Sequence, residues 1–183
     1  MRLFIAIEFP KETKKEITQV IAHINLPTEI SWIKSENLHL TLKFLGYTKI
    51  PLKKIEESIE ASISEIKPWK FEFISIGYFD YLNLIIWLGV KRSEILSRLV
   101  DKIEKEMLSL GFAKEKRIFS PHITIGRGKN LPTDIRKKII LILADQRGNA
   151  LPKPFQVKEI FLMESKLTPK RPIYTRLFKF TLA

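Results

Sequence analysis

A chain of 183 residues with 45% hydrophobic and 28% charged residues can bury a core, so it need not be disordered. It has no cysteine, which excludes a disulfide framework, a thiol nucleophile and any Cys-built zinc or iron–sulfur site. Lys and Arg number 32 against 20 Asp and Glu, a formal charge of +12 whose sign suits a polyanionic partner, and no apolar run reaches the roughly 18–20 residues of a membrane span.

In chain order, Arg2 to Glu8 runs apolar and reads as a buried strand rather than a signal core, since the run stops at Glu8 with no small-residue cleavage site. Pro10 opens a helix over Lys11 to Asn25, with Ile17, Val20, Ile21 and Ile24 on one stripe. Leu38 to Leu45 alternates as a strand and ends at Gly46. Pro51 to Ile66 places Ile55, Ile59, Ile63 and Ile66 on one helical face. Phe71 to Phe79 and Leu84 to Val90 read as two strands around a turn at Asp80–Asn83. Ser93 to Leu110 is the clearest amphipathic helix, closed by Gly111. Pro121 to Arg127 is a short strand, and Pro132 to Ala144 a helix opened by Pro132 or capped by Thr133. Phe155 to Ser165 and Tyr174 to Leu182 are the last strands.

This order, with its hairpins, predicts an α+β fold with antiparallel pairing, not a doubly wound parallel sheet. The scarcity of Gly (7), the scattered Pro (10) and the lack of a long linker predict one compact unit over residues 1–183. The two halves echo each other, each with a helix and then a strand carrying His-x-Thr-x, which suggests duplication with pseudo-two-fold symmetry. Abundant Ile, Lys and Glu with few Gln and Asn lean toward a heat-adapted, thermophile source. The missing cysteines fit a reducing compartment, so the expected location is cytoplasmic, with no membrane segment.

Three histidines are present. His23 lies on the first helix without special context. His39 stands in His39-Leu40-Thr41-Leu42 and His122 in His122-Ile123-Thr124-Ile125, a repeated pattern that ten threonines make a rare coincidence. In a strand, residues i and i+2 share a face. His39 and Thr41 therefore project together, as do His122 and Thr124. Leu38, Leu40, Leu42 and Phe44 are expected in the core, with Ile123 and Ile125. If the two strands confront each other across a cleft, two imidazoles and two hydroxyls surround one small volume. Imidazole titrates near neutral pH, so one ring can take a proton while the other gives one. Threonine hydroxyls can hold phosphate oxygens. The set suits metal-free phosphodiester cleavage; no Ser-His-acid triad stands out, and neither motif has a nearby carboxylate except Glu36.

Among the neighbours, Lys43 shares the face of His39 and Thr41 by alternation and lines the cleft, unless it is merely a solvated strand lysine. Arg127 has the wrong parity for a straight strand, but Gly126 can break the strand and redirect it. Tyr174 could stack a base, whereas Phe9 and the three tryptophans, Trp32, Trp69 and Trp87, are expected in the core.

With these motifs the chain resembles the two-histidine phosphoesterase superfamily, and within it the bacterial and archaeal RNA 2′,3′-cyclic phosphodiesterases, also called 2′-5′ RNA ligases. The resemblance runs from Arg2-Leu3-Phe4-Ile5-Ala6-Ile7 through Glu36 to Gly46 and Pro121 to Arg127, to Ser165 to Tyr174 near the end. Arg171 departs from it, since the family often has Gly there. The resemblance implies a bilobal fold with two antiparallel-rich sheets facing a central basic cleft and helices outside. It implies hydrolysis of RNA 2′,3′-cyclic phosphate ends to 2′-phosphomonoesters, without metal or other cofactor, and reversible 2′-5′ joining of RNA halves, tRNA fragments among them. His39 would protonate the leaving 3′ oxygen and His122 activate water, with the roles exchanged in the reverse direction. Thr41 and Thr124 would hold the phosphate, Arg127 would contact phosphate or base, and the protein would be a monomer. Two other readings stay open: a non-catalytic module that holds RNA ends, and a phosphodiesterase of small cyclic nucleotides.

Overall fold

The computed structural model describes residues 1–183 except 25, 28, 146–149, 170 and 171. Asn25, the expected end of the first helix, and Arg171 therefore lie outside the described residues.

Strand β1 (Arg2–Glu8) is followed by helix α1 (Lys11–His23), the short strand β2 (Ile30–Trp32), β3 (His39–Tyr47) and α2 (Leu52–Ile63). A short ribbon strand β4 (Trp69–Phe71), the hairpin β5 (Phe73–Asp80) and β6 (Leu84–Val90), and α3 (Glu94–Ser109) come next. The chain ends in β7 (His122–Gly128), α4 (Thr133–Ala144), β8 (Phe155–Val157), β9 (Glu159–Leu167) and β10 (Pro172–Thr181). Each predicted helix and strand is present, with the adjustments that tertiary pairing imposes. Glu72 and Lys158 interrupt two expected strands, because β4 and β8 pair with each other as a separate two-stranded ribbon. Strand β2 was not foreseen; its three residues pair with the end of β7.

The two four-stranded sheets have the orders β10-β9-β1-β3 and β2-β7-β6-β5, antiparallel throughout. The expected α+β, antiparallel-rich fold is the observed one. The repeat is visible in it: β1, α1, β3 and α2 recur as β6, α3, β7 and α4, and each motif strand pairs with the first strand of its own half.

The helices carry their apolar stripes onto the sheets. Ile55, Ile59 and Ile63 of α2 and Leu96, Leu99, Ile103 and Met107 of α3 are buried in one continuous core. Burying a side chain of this size contributes about 1.5–3 kcal/mol, so these faces hold the helices in place. Helix α3 starts where the Ser93 hydroxyl accepts the Leu96 N–H at 3.2 Å, and it stops at Gly111, whose φ of +91° few other residues adopt. In β1 all of Leu3 to Ile7 is buried. Leu3, Ile5 and Ile7 join the main core, while Phe4 and Ala6 form a second small cluster with Phe161 and Met163, covered by Tyr174. The first sheet is thus apolar on both faces, and the second face is the floor beneath His39.

Candidate functional site

The two motif strands lie beside each other where the sheets meet, and the Ile33 N–H at the end of β2 donates to the Ile125 carbonyl at 2.8 Å. On β3, the Nδ1 of His39 lies 2.7 Å from the Asn37 carbonyl oxygen. On β7, the Nδ1 of His122 lies 2.7 Å from the Ser120 carbonyl oxygen. A carbonyl only accepts, so each Nδ1 carries its hydrogen and each neutral ring keeps its lone pair on Nε2. The backbone two residues upstream thus fixes the tautomer of both rings in the same way. Thr41 follows its motif: its Oγ1 is 3.0 Å from His39 Nε2.

The surroundings of the rings differ. His39 is packed against Phe4 (centroids 4.9 Å apart) and edge-on to Tyr174 (5.2 Å). Burial pushes its pKa below the ordinary value; the Asn37 carbonyl and Glu8 partly oppose this, while Lys14 and Arg127 add to it. His122 is only partly covered and touches Phe79 edge-on, with centroids 5.0 Å apart.

Glu8 is paired across the strands with His39, and its buried carboxylate is held by Arg176 and by Lys14 at 3.7 Å. Sequence reasoning passed over Glu8; its parity with Phe4 and Ala6 was the available signal. Burial also lowers the Lys14 pKa, against the pull of Glu8. Tyr174 lies over Phe4 and beside His39. Burial raises its phenol pKa, and Arg127 and Arg2 work against that rise.

Arg127 lies within electrostatic range of both His39 and Tyr174. A bulge explains its parity: β6 pairs Trp87 with Thr124 but Ile86 with Gly126, leaving Ile125 as an extra residue. Alternation restarts after it, so Arg127 is exposed and its charge reaches both His39 and Tyr174 across the sheet boundary.

The same bulge occurs in β3 and overturns two expectations. β1 pairs Ala6 with Thr41 and Ile5 with Lys43, so Leu42 is the extra residue. Lys43 is thereby turned to the helix side, 5% exposed, with Nζ 2.6 Å from Glu104 and 3.0 Å from the Ala113 carbonyl. It does not share the face of His39 and Thr41. Phe44 takes that face instead, beside Phe4, and is 63% exposed, not in the core. Trp87 is a third correction. It stands cross-strand from Thr124, on the face that carries the His122 motif, its ring over Gly77, where a Cβ would come within 2.3 Å of Cη2. Its indole N–H has no hydrogen-bond partner among the described residues. Trp69 and Phe9 are in the core as expected, and Trp32 packs partly against it.

Among the described residues no three His, Asp or Glu side chains gather as metal ligands. No helix among them is long and apolar enough to cross a membrane.

Comparison with known proteins gives the family and the fold. A sequence model of the family described as the 2′-5′ RNA ligase superfamily matches residues 6–168. The RNA 2′,3′-cyclic phosphodiesterase of Methanocaldococcus jannaschii is 35% identical over 176 residues, covering 95% of this chain and 96% of that protein. The protein of the same name from Thermotoga maritima is 33% identical, covering 98% and 94%. A crystal structure of a Thermus thermophilus protein, TT0787, superposes with a TM-score of 0.80 at 23% identity, covering 100% of this chain and 98% of that one.

Proposed function

The chain belongs to the 2′-5′ RNA ligase superfamily, and from that premise we propose that it opens 2′,3′-cyclic phosphate ends of RNA by acid–base catalysis between His39 and His122. Water attacks phosphorus as Nε2 of His122 takes its proton. The bond from phosphorus to the 3′ oxygen breaks, and Nε2 of His39 returns a proton to that oxygen. The product is a 2′-phosphomonoester with a free 3′ hydroxyl. Thr41 and Thr124 hold the non-bridging oxygens, and Arg127 offsets the charge that builds on them. An RNA 5′ hydroxyl in place of water gives a 2′-5′ linkage by the same path.

The observation that carries this reading is the matched tethering of both rings at Nδ1, which leaves two Nε2 atoms as the reactive ones. Burial lowers the His39 pKa in the free protein, which favours the neutral ring. A phosphate anion beside the ring would favour the imidazolium, the form that the acid role requires. The relatives named RNA 2′,3′-cyclic phosphodiesterase support the substrate class. The rest of the reading is that tRNA fragments are among the substrates, that the protein works as a monomer, and that it works in the cytoplasm.

The test is incubation of an RNA ending in a 2′,3′-cyclic phosphate with the protein in EDTA, then identification of the end group. A 2′-phosphate is expected. A 3′-phosphate, or turnover only with added metal, contradicts the proposal. Tight binding of the RNA end with no turnover favours the non-catalytic module.

A further inference from the structure

The two histidines differ in what lies beyond them. His39 is closed in by Phe4 and Tyr174, and the Arg176–Glu8–Lys14 charges sit next to it. His122 instead opens onto a row of rings. Phe79 meets it edge-on at 5.0 Å, and Tyr81 lies 6.0 Å further out, stacked on Phe79 at 27°. The guanidinium of Arg117 rests 5.5 Å above the Tyr81 ring. Tyr81 is 60% exposed, and the neighbouring Leu82 and Ile118 are 91% and 86% exposed.

This outer platform is held, not loose. Arg136 of α4 reaches the tip of the β5–β6 hairpin, donating to the Tyr81 carbonyl at 2.6 Å and pairing with Asp80 at 2.8 Å. The guanidinium of Arg117 has no carboxylate within salt-bridge distance among the described residues, although its backbone N–H donates to Glu115. An exposed ring topped by an uncommitted cation, reached from the candidate base by an unbroken run of aromatics, matches what single-stranded RNA offers: flat bases and a phosphate at every step. An acidic protein surface would use the arginine but not the ring row, and a small cyclic nucleotide would end before reaching Tyr81.

Resting on the phosphodiesterase reading above, we infer that Tyr81 and Arg117 form a binding site for the nucleotides upstream of the cyclic phosphate, so that the RNA strand leaves the cleft over the second half of the protein. Bases stack on the Phe79–Tyr81 row, and Arg117 meets the backbone. The platform makes the protein select oligonucleotides over mononucleotides.

The experiment compares wild type, Tyr81→Ala, Arg117→Ala and Tyr81→Phe on cytidine 2′,3′-cyclic phosphate and on an oligoribonucleotide of about six residues with the same end, long enough to cover a single-strand stacking platform. For Tyr81→Ala and Arg117→Ala the KM of the oligonucleotide is expected to rise about tenfold, with its kcat unchanged and the mononucleotide constants unchanged. Tyr81→Phe keeps the wild-type values, because the ring is what acts. Equal changes on both substrates, or no change on either, overturn the inference while leaving the phosphodiesterase reading intact. Self-association lost in Tyr81→Ala, with no effect of RNA length, overturns it in favour of a contact between copies. Wild type that turns over neither substrate removes both.

Discussion

Glu8 stands directly across from His39 in the antiparallel register of β1 and β3, whereas the residue across from His122 is Gly89. The duplicated motif therefore carries a carboxylate on one side only. That carboxylate is buried, and Lys14 and Arg176 hold it in place. It is the acidic side chain that opposes the loss of the His39 proton, against burial, Lys14 and Arg127.

Replacing Glu8 by Gln removes a negative charge and leaves Lys14 and Arg176 unbalanced beside the ring. The His39 pKa is expected to fall further, because the imidazolium loses an attractive neighbour. An NMR titration of the histidine ring signals reads this directly. A His39 titration that stays put or moves upward in E8Q rules out the electrostatic role. With His39 as the acid, kcat/KM at pH 7 should drop severalfold, and the acidic form should need a lower pH to be recovered.

The lowered His39 pKa also sets a stability trend with a definite sign. In the unfolded chain the ring titrates near its ordinary value of 6.5, and in the folded protein below it. Above that ordinary value both states are neutral, and folding carries no proton penalty. As pH falls past it, the unfolded chain takes a proton that the folded protein refuses, so stability is lost until the folded ring titrates too. His39→Asn has no such proton to bind. The unfolding free energy of wild type minus that of H39N, from urea titrations, should therefore fall as pH drops from 7.5 toward 5, values bracketing the histidine range. A difference that rises toward acid pH would refute this linkage.

Strand alternation found the catalytic candidates because both His-x-Thr pairs precede their bulges. It failed one step later. Leu42 and Ile125 are apolar like their neighbours, and nothing in the sequence marks them as the extra residues of two pairings. Register with a partner strand creates a bulge, and register is a tertiary fact. Alternation alone therefore puts Lys43 on the wrong face and Phe44 in the core. Only Gly126 gives warning, as a point where the strand can be redirected, and the bulge does fall just before it. Trp87 was misread for a different reason. An aromatic in a strand ordinarily means core, but here Trp87 lies on the sheet face that carries the His122 motif, and Gly77 makes room for the indole. Glu72 and Lys158 split two strands without any Gly or Pro, because the short β4–β8 ribbon exists only through long-range pairing. The helices were legible because their stripes face one continuous core.

Arg127 provides a test with the opposite electrostatic sign. Its charge lowers the His39 pKa, and its exposed position suits a phosphate contact. In Arg127→Met the His39 pKa should rise, opposite to E8Q, while KM for a cyclic-phosphate end rises about 10- to 100-fold through loss of one charged hydrogen bond. The salt dependence of binding should also weaken by about one phosphate contact. If R127M and E8Q shift the ring in the same direction, the cross-sheet arrangement of these charges is wrong.

Lys43 and Glu104 join the halves through the core. Lys43 Nζ meets Glu104 Oε1 at 2.6 Å and the Ala113 carbonyl at 3.0 Å, and Glu104 Oε2 accepts the Glu115 N–H at 3.3 Å. One lysine, just past the bulge beyond Thr41, thereby ties β3 to α3 and to the loop that leads into β7. Burying these charges costs desolvation that their attraction only repays when both are present. Lys43→Met leaves the Glu104 carboxylate without its cation in a mostly covered place, so a loss of about 3 kcal/mol in unfolding free energy is expected from urea titration. Changing both, Lys43→Met with Glu104→Leu, removes the stranded charge and should recover most of that loss. The double variant still lacks the link to the Ala113 carbonyl and the Glu115 N–H, so the loop before His122 is less firmly placed. Its kcat on a cyclic-phosphate RNA should stay below wild type although its stability returns. A double variant as unstable as K43M would mean that the lysine acts through its packing rather than its charge.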